Sequence, residues 1–208
     1  MDTVLVLLGL ALVHLLAVAS PGPSTVLVIQ TAAVAGRRGG LLAAFAMMVG
    51  ALAWASAALF GLQALFARFE WLYLAFRIGG AIYLFYLAMM LWRHARDPLP
   101  EIPAALARGT TGWQGFLRAL GLQLSNPKIM VFFGSIFLSL LPAELPAWMD
   151  AAVLAIVGLN EFTWFALLAL LFSGAPARAF YRRAKFEMDR IMGGALALLG
   201  LRLALADR

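Results

Sequence analysis

Residues 20–24 read Ser20-Pro21-Gly22-Pro23-Ser24, and residues 125–128 read Ser125-Asn126-Pro127-Lys128; each stretch interrupts an apolar run. Two prolines within four residues remove helix donors and clash with carbonyls one turn earlier, so no continuous helix crosses the first stretch. The composition around these breaks decides their meaning. The chain has 208 residues, 64% hydrophobic and 12% charged, whereas a soluble domain carries about 25% charge. So few charges cannot cover a soluble surface. At roughly 20 residues per crossing, the chain has room for about five to seven membrane spans. In hydrocarbon, backbone groups freed by a break must meet protein or water, so neither break faces lipid. The same composition excludes most soluble enzymes, nucleic-acid readers and disordered proteins.

Working outward from the breaks, six apolar stretches emerge. They cover residues 3–34 (broken at 20–23), 40–66, 71–92, 113–141 (broken at Asn126-Pro127), 147–172 and 190–206. The expected fold is an all-α integral membrane protein, a single transmembrane domain over residues 1–208. Between residues 94 and 112 lies a polar connector carrying Pro98, Pro100 and Pro103. The segment after Met1-Asp2-Thr3 lacks the basic start of a secretory signal and is read as a retained span.

The formal net charge is +6. The basic residues fall in alternate loops: Arg37 and Arg38; Arg93, Arg96 and Arg108; Arg178, Arg182, Arg183 and Lys185. The intervening loops are poor in bases, which puts the basic face in the cytoplasm and both termini outside. Trp71, Trp92, Trp113 and Trp148 fall at span ends, as interfacial aromatics do. With no Cys, disulfide, thiol redox and thiolate metal chemistry are excluded. His14 and His94 make no metal-ligand cluster, and no cofactor is implied.

The two halves, about 1–93 and 113–208, share a pattern. Each opens with a Pro-broken span and closes with a span entered through a Gly pair, Gly79-Gly80 and Gly193-Gly194. Three spans per half make the second copy inverted, a 3+3 repeat with helices one and four broken. Matching interrupted spans in inverted halves point to a transporter's binding site; the alternative is coincidence, since Gly and Pro are common in membrane helices. A half-helix starting near Pro23 or Ser24 aims free N–H groups inward and suits a carboxylate. The alternative is a kink packed by its neighbours.

Two charges lie deep in spans. Lys128 adjoins the second break, and Glu161 follows Asn160 in span five. Burying such a group at mid-membrane costs about 2.5–3.5 kcal/mol on insertion scales, so each needs a partner or a water-filled cavity. The expectation is that they pair, or that both face one aqueous cavity. Glu161 is then the proton-coupling residue, and the alternative is a structural ion pair. The expected substrate-binding residues are Ser20, Pro21, Gly22, Pro23, Ser24, Asn126, Pro127, Lys128 and Asn160. Gln30, Gln63 and Gln123 read as interhelical hydrogen-bond partners, and His14 as packing.

The motifs together resemble the LysE/RhtB family of bacterial amino-acid exporters. The resemblance is carried by Ser20-Pro21-Gly22-Pro23 with Gly36-Arg37-Arg38-Gly39-Gly40, by Gly79-Gly80-Ala81 running to Leu91-Trp92-Arg93, and by Ser125-Asn126-Pro127-Lys128 with Phe132-Phe133. It implies six helices in the inner membrane and proton-coupled export of an amino acid or similar zwitterion. The expected partners are that solute, protons and the bilayer, with no nucleic acid; a homo-oligomer is compatible. Members often carry Asp or Asn where this chain has Ser24, and an acid where it has Ala51; either Glu161 takes that role or the chain handles a different solute. The competing function is a non-transporting structural or assembly subunit, which predicts no pocket and a buried Lys128–Glu161 pair. An intramembrane enzyme would need a nucleophile–base or metal constellation, and none is visible.

Overall fold

The computed structural model describes residues 3–20, 22–61, 70–97, 112–126, 128–129, 132–133, 146–172 and 175–205. Among these residues it is all-helical, without a strand. Six α-helices follow one another: α1 (Thr3–Ala19), α2 (Pro23–Ser56), α3 (Glu70–Arg93), α4 (Gly112–Leu124), α5 (Ala147–Leu171) and α6 (Ala175–Leu205). A π-helical turn, Ala57–Gly61, continues α2. Beyond Asp97 the connector lies outside the described residues until Gly112.

α2 is two helices joined at Gly36, whose φ of 70° and ψ of −173° only glycine adopts without strain. The chain doubles back there. A Cβ added to Gly40 would meet the Cβ of Ala32 at 2.7 Å and that of Ala169 at 2.8 Å. A straight helix would separate residues 32 and 40 by roughly 12 Å along its axis. The boundary expected between the first two apolar stretches is therefore made at one residue, and Arg37 and Arg38 sit in helix directly after it.

α6 also differs from expectation, which began the last span at residue 190. The helix starts at Ala175 and takes residues 178–185 into its first turns. Pro176 stands at the helix start, where its missing N–H costs nothing, and the following Ala, Arg and Lys are good helix formers.

α2 packs against α5 and α4, α3 against α6, and α1 against α5. One core cluster joins Leu10, Leu84, Phe133, Val157 and Leu196; a second joins Val28, Ala44, Met47, Phe116 and Ala169. The outer faces are apolar, with Leu8, Trp71, Trp113, Leu159 and Leu198 all exposed. So wide an apolar surface is not that of a soluble monomer. Among the described residues, two stretches, Pro23–Gly61 and Trp148–Leu171, are by length and composition long and apolar enough to cross a bilayer.

The α3–α6 pair is closed by specific contacts. The Trp92 indole Nε1 donates to the Arg190 carbonyl at 3.0 Å. Lys185 Nζ donates to the His94 carbonyl at 2.7 Å and to Asp189 Oδ2 at 2.7 Å. A cation is thus fixed at the C-terminal end of α3, where the helix dipole favours it. Gly193 makes the approach feasible, because a Cβ there would lie 2.5 Å from the Trp92 ring. Gly193→Ala should therefore cost about 1–3 kcal/mol through overpacking. Thermal unfolding of the detergent-solubilised variant measures this, and an unchanged midpoint would mean that Trp92 yields freely.

Candidate functional site

The first break begins where α1 ends. The Ser20 amide still donates to the Leu16 carbonyl at 3.1 Å, but Gly22 is extended. Pro23 then opens α2 at its first helical position, where a proline is well suited. The first intrahelical bond of α2 runs from the Val26 amide to the Gly22 carbonyl at 3.1 Å. The amides of Ser24 and Thr25 precede it and belong to the unsatisfied first turn. No side chain caps this end. Pro21 lies outside the described residues.

The second break follows α4. The Ser125 amide donates to the Gly121 carbonyl at 2.9 Å and the Ile129 amide to the Asn126 carbonyl at 3.1 Å. Asn126 caps this new turn, its Oδ1 accepting from the Lys128 amide at 3.1 Å. Asn and Asp favour this position because their side-chain oxygen replaces a missing backbone acceptor. Pro127 lies outside the described residues.

A hydrogen-bond chain joins the two breaks. Asn126 Nδ2 donates to Ser24 Oγ at 3.2 Å, Ser24 Oγ to Gln123 Oε1 at 2.7 Å, and Gln123 Nε2 to Glu161 Oε1 at 2.6 Å. All four side chains are buried. Gly50 of α2 makes room, since a Cβ there would lie 2.6 Å from Gln123 Cγ. On its other side, Glu161 Oε2 stands 3.6 Å from His14 Nε2. His14 is 1% exposed and packs against the rings of Phe132 and Phe133.

Lys128 does not pair with Glu161. Its Nζ reaches the Ala17 carbonyl at 3.4 Å, beside Gly22. Both residues instead line one small, partly open cavity of about 40 Å³ together with His14, Ser20, Gly22, Ser24 and Asn126. Val18, Ile129, Phe132, Phe133 and Phe165 form its apolar wall. Two polar atoms among these residues, Ser20 Oγ and His14 Nδ1, are buried without a protein partner. Asn160 is placed elsewhere: its Nδ2 donates to the Ala11 carbonyl at 2.9 Å and ties α5 to α1.

The residues brought together are thus Ser20, Gly22, Ser24, Asn126, Lys128 and Glu161, expected from the sequence, with His14 and Gln123 added by the fold. His14 reads as packing because a lone histidine in an apolar helix carries no pattern of its own. Gln123 reads as a generic interhelical amide, and its particular partners are set by Gly50. Gln123→Leu should leave Ser24 and Glu161 short of partners and cost about 1–3 kcal/mol. Chemical or thermal unfolding of the purified variant tests this; wild-type stability would mean that water replaces the amide.

The comparisons with known proteins converge. The family model for the LysE type translocator matches residues 15–207. The threonine efflux protein of Salmonella typhi is 30% identical over 199 residues, covering 94% of this chain and 96% of that protein. The threonine efflux protein of Escherichia coli (strain K12) is 28% identical over 200 residues, covering 96% and 97%. The leucine efflux protein of Enterobacter sp. (strain 638) is 29% identical over 186 residues, covering 86% and 83%. No solved structure matches. The match runs through both breaks, the glycine hinge and the cavity residues other than His14, and the chain belongs to the LysE type translocator family.

Proposed function

We propose that this protein is a secondary exporter of an amino acid or a related zwitterionic metabolite in the bacterial inner membrane, coupled to protons. One observation carries the reading: a single cavity at the meeting of two chain breaks holds an ammonium and a carboxylate that are not paired with each other. A zwitterion needs that combination. Its carboxylate would meet Lys128 and the first-turn amides of Ser24 and Thr25, with the Ser20 hydroxyl adjacent. Its ammonium would meet Glu161. Gly22, Pro23 and Asn126 hold the breaks open, Pro21 and Pro127 are assigned to the same role from the sequence alone, and Asn160 acts one step back by fixing α5 against α1. The efflux proteins similar to this chain act on threonine and leucine by their names, which supports an amino acid as solute.

An inverted 3+3 arrangement accounts for the packing. In it, α1 with the first part of α2 is a broken span one, the remainder of α2 is span two, and α4 with the residues after Asn126 is a broken span four. Exchanging the halves maps the α2–α5 and α3–α6 contacts onto themselves and the α1–α5 contact onto α4–α2. The Gly pairs are less alike, since Gly79 has open space where Gly193 is pressed by Trp92. The basic loops put the cytoplasm at the Gly36 end, with both termini outside. Glu161 carries the proton, in place of an acid at Ser24 or Ala51. The structural-subunit reading calls for no pocket and a direct Lys128–Glu161 pair, and the cavity and the Lys128–Ala17 contact count against it.

Export profiling tests this. Intact cells overproducing the protein are loaded with a panel of amino acids including threonine and leucine. At least one should leave several-fold faster than from control cells, and a protonophore should stop it. Glu161→Gln should lower that efflux at least tenfold with normal membrane insertion. Efflux of no panel member would overturn the reading, and full activity of the Lys128→Ala, Glu161→Ala double variant would remove both residues from it.

A further inference from the structure

Every ionisable side chain in the cavity has a place in the proposed export cycle except His14. It is among the most buried polar residues of the protein, at 1% exposure, on a helix that carries no other ionisable group. An imidazole in such a place needs both nitrogens satisfied. Here Nε2 faces Glu161 Oε2 at 3.6 Å, and Nδ1 has no protein partner. The Glu161 carboxylate is divided accordingly: Oε1 is committed to Gln123 at 2.6 Å, and Oε2 is left to His14. We propose that His14 and Glu161 form one proton-holding unit, in which the imidazole passes the transported proton to and from the carboxylate. The proposal rests on the export reading above.

The step balances without any further reactant. A proton from cavity water binds Nδ1, the Nε2–H bond breaks, and an Oε2–H bond forms on Glu161. The imidazole ends neutral as its other tautomer, and the reverse sequence returns the proton. A separation of 3.6 Å is longer than a hydrogen bond, and such contacts tighten when a site fills. The rings of Phe132 and Phe133, at 6.0 and 5.5 Å from the imidazole, hold it in place without offering a competing acceptor. The charged groups that bear on the unit are Glu161 itself from α5 and Lys128 across the cavity. Asp189 of α6 acts on Lys128 electrostatically. Gln123 from α4 is uncharged and fixes which carboxylate oxygen is free. A histidine is the side chain suited to such a relay, because its two nitrogens exchange donor and acceptor roles.

Two measurements on the full-length protein test the unit. In proteoliposomes, exchange of radiolabelled threonine or leucine is compared with accumulation driven by an imposed pH gradient. In His14→Gln, accumulation should fall at least ten times more than exchange does, and its pH profile should flatten. His14→Phe, which keeps the packing against Phe132 and Phe133, should behave alike and guards against a folding defect. Independently of any substrate, infrared difference spectroscopy of the purified protein should show a carboxylic-acid band that titrates. It should vanish in Glu161→Gln and shift in its titration in His14→Gln. Exchange and accumulation falling together, or neither falling, with the band unmoved by His14→Gln, overturns the proposal. Wild-type protein that exchanges no amino acid yet shows the His14-dependent band would sink the export reading and leave the proton unit standing.

Discussion

The hydrogen-bond chain from Asn126 through Ser24 and Gln123 to Glu161 is the interaction on which the rest of the structure depends. A helix interrupted in hydrocarbon exposes amides and carbonyls that no solvent can satisfy. Here the side chains flanking one break reach those flanking the other, and the remaining acceptor is a carboxylate on α5. The contacts that join the two breaks therefore also build the cavity. The polar groups that hold α1, α2, α4 and α5 in register are also the groups that a small zwitterion would meet.

Small residues set the distances that this chain of bonds requires. Gly50 leaves the space that Gln123 fills, and Gly40 lets the two arms of α2 close on each other and on Ala169 of α5. In a bilayer, apolar contact between helices gains little over contact with lipid, so close packing and interhelical hydrogen bonds carry the association. The α3–α6 pair uses the same means at the opposite side, with Gly193 beneath Trp92 and Lys185 across the end of α3. The result is a site walled by elements that are each held by their own contacts. Such support is what keeps unpaired Lys128 and Glu161 apart instead of collapsing into an ion pair.

The deep charges were legible from one line of text because charge is scarce in this chain and costly in a span. Ser20, Gly22, Ser24 and Asn126 were legible because proline marks where a helix cannot continue. Adjacency to Glu161 puts Asn160 in the same group by sequence, yet neighbouring residues on a helix point about 100° apart, and its amide meets α1 instead. His14 is the opposite case, since the carboxylate it faces lies far along the chain on α5. Local sequence carries no record of such a meeting.

Composition and proline spacing alone determined that the chain is helical, apolar on its outside, and interrupted at two places that must be buried. These follow from the cost of exposed backbone in hydrocarbon, which acts on each segment separately. Only the tertiary structure decided that the interruptions meet and that Gln123 bridges them. It also decided that Lys128 bonds the Ala17 carbonyl rather than Glu161, and that His14 faces the second carboxylate oxygen of Glu161. Those choices depend on which faces of α1, α2, α4 and α5 come together, and near-uniformly apolar helices encode that in a few glycine-sized gaps rather than in their overall pattern.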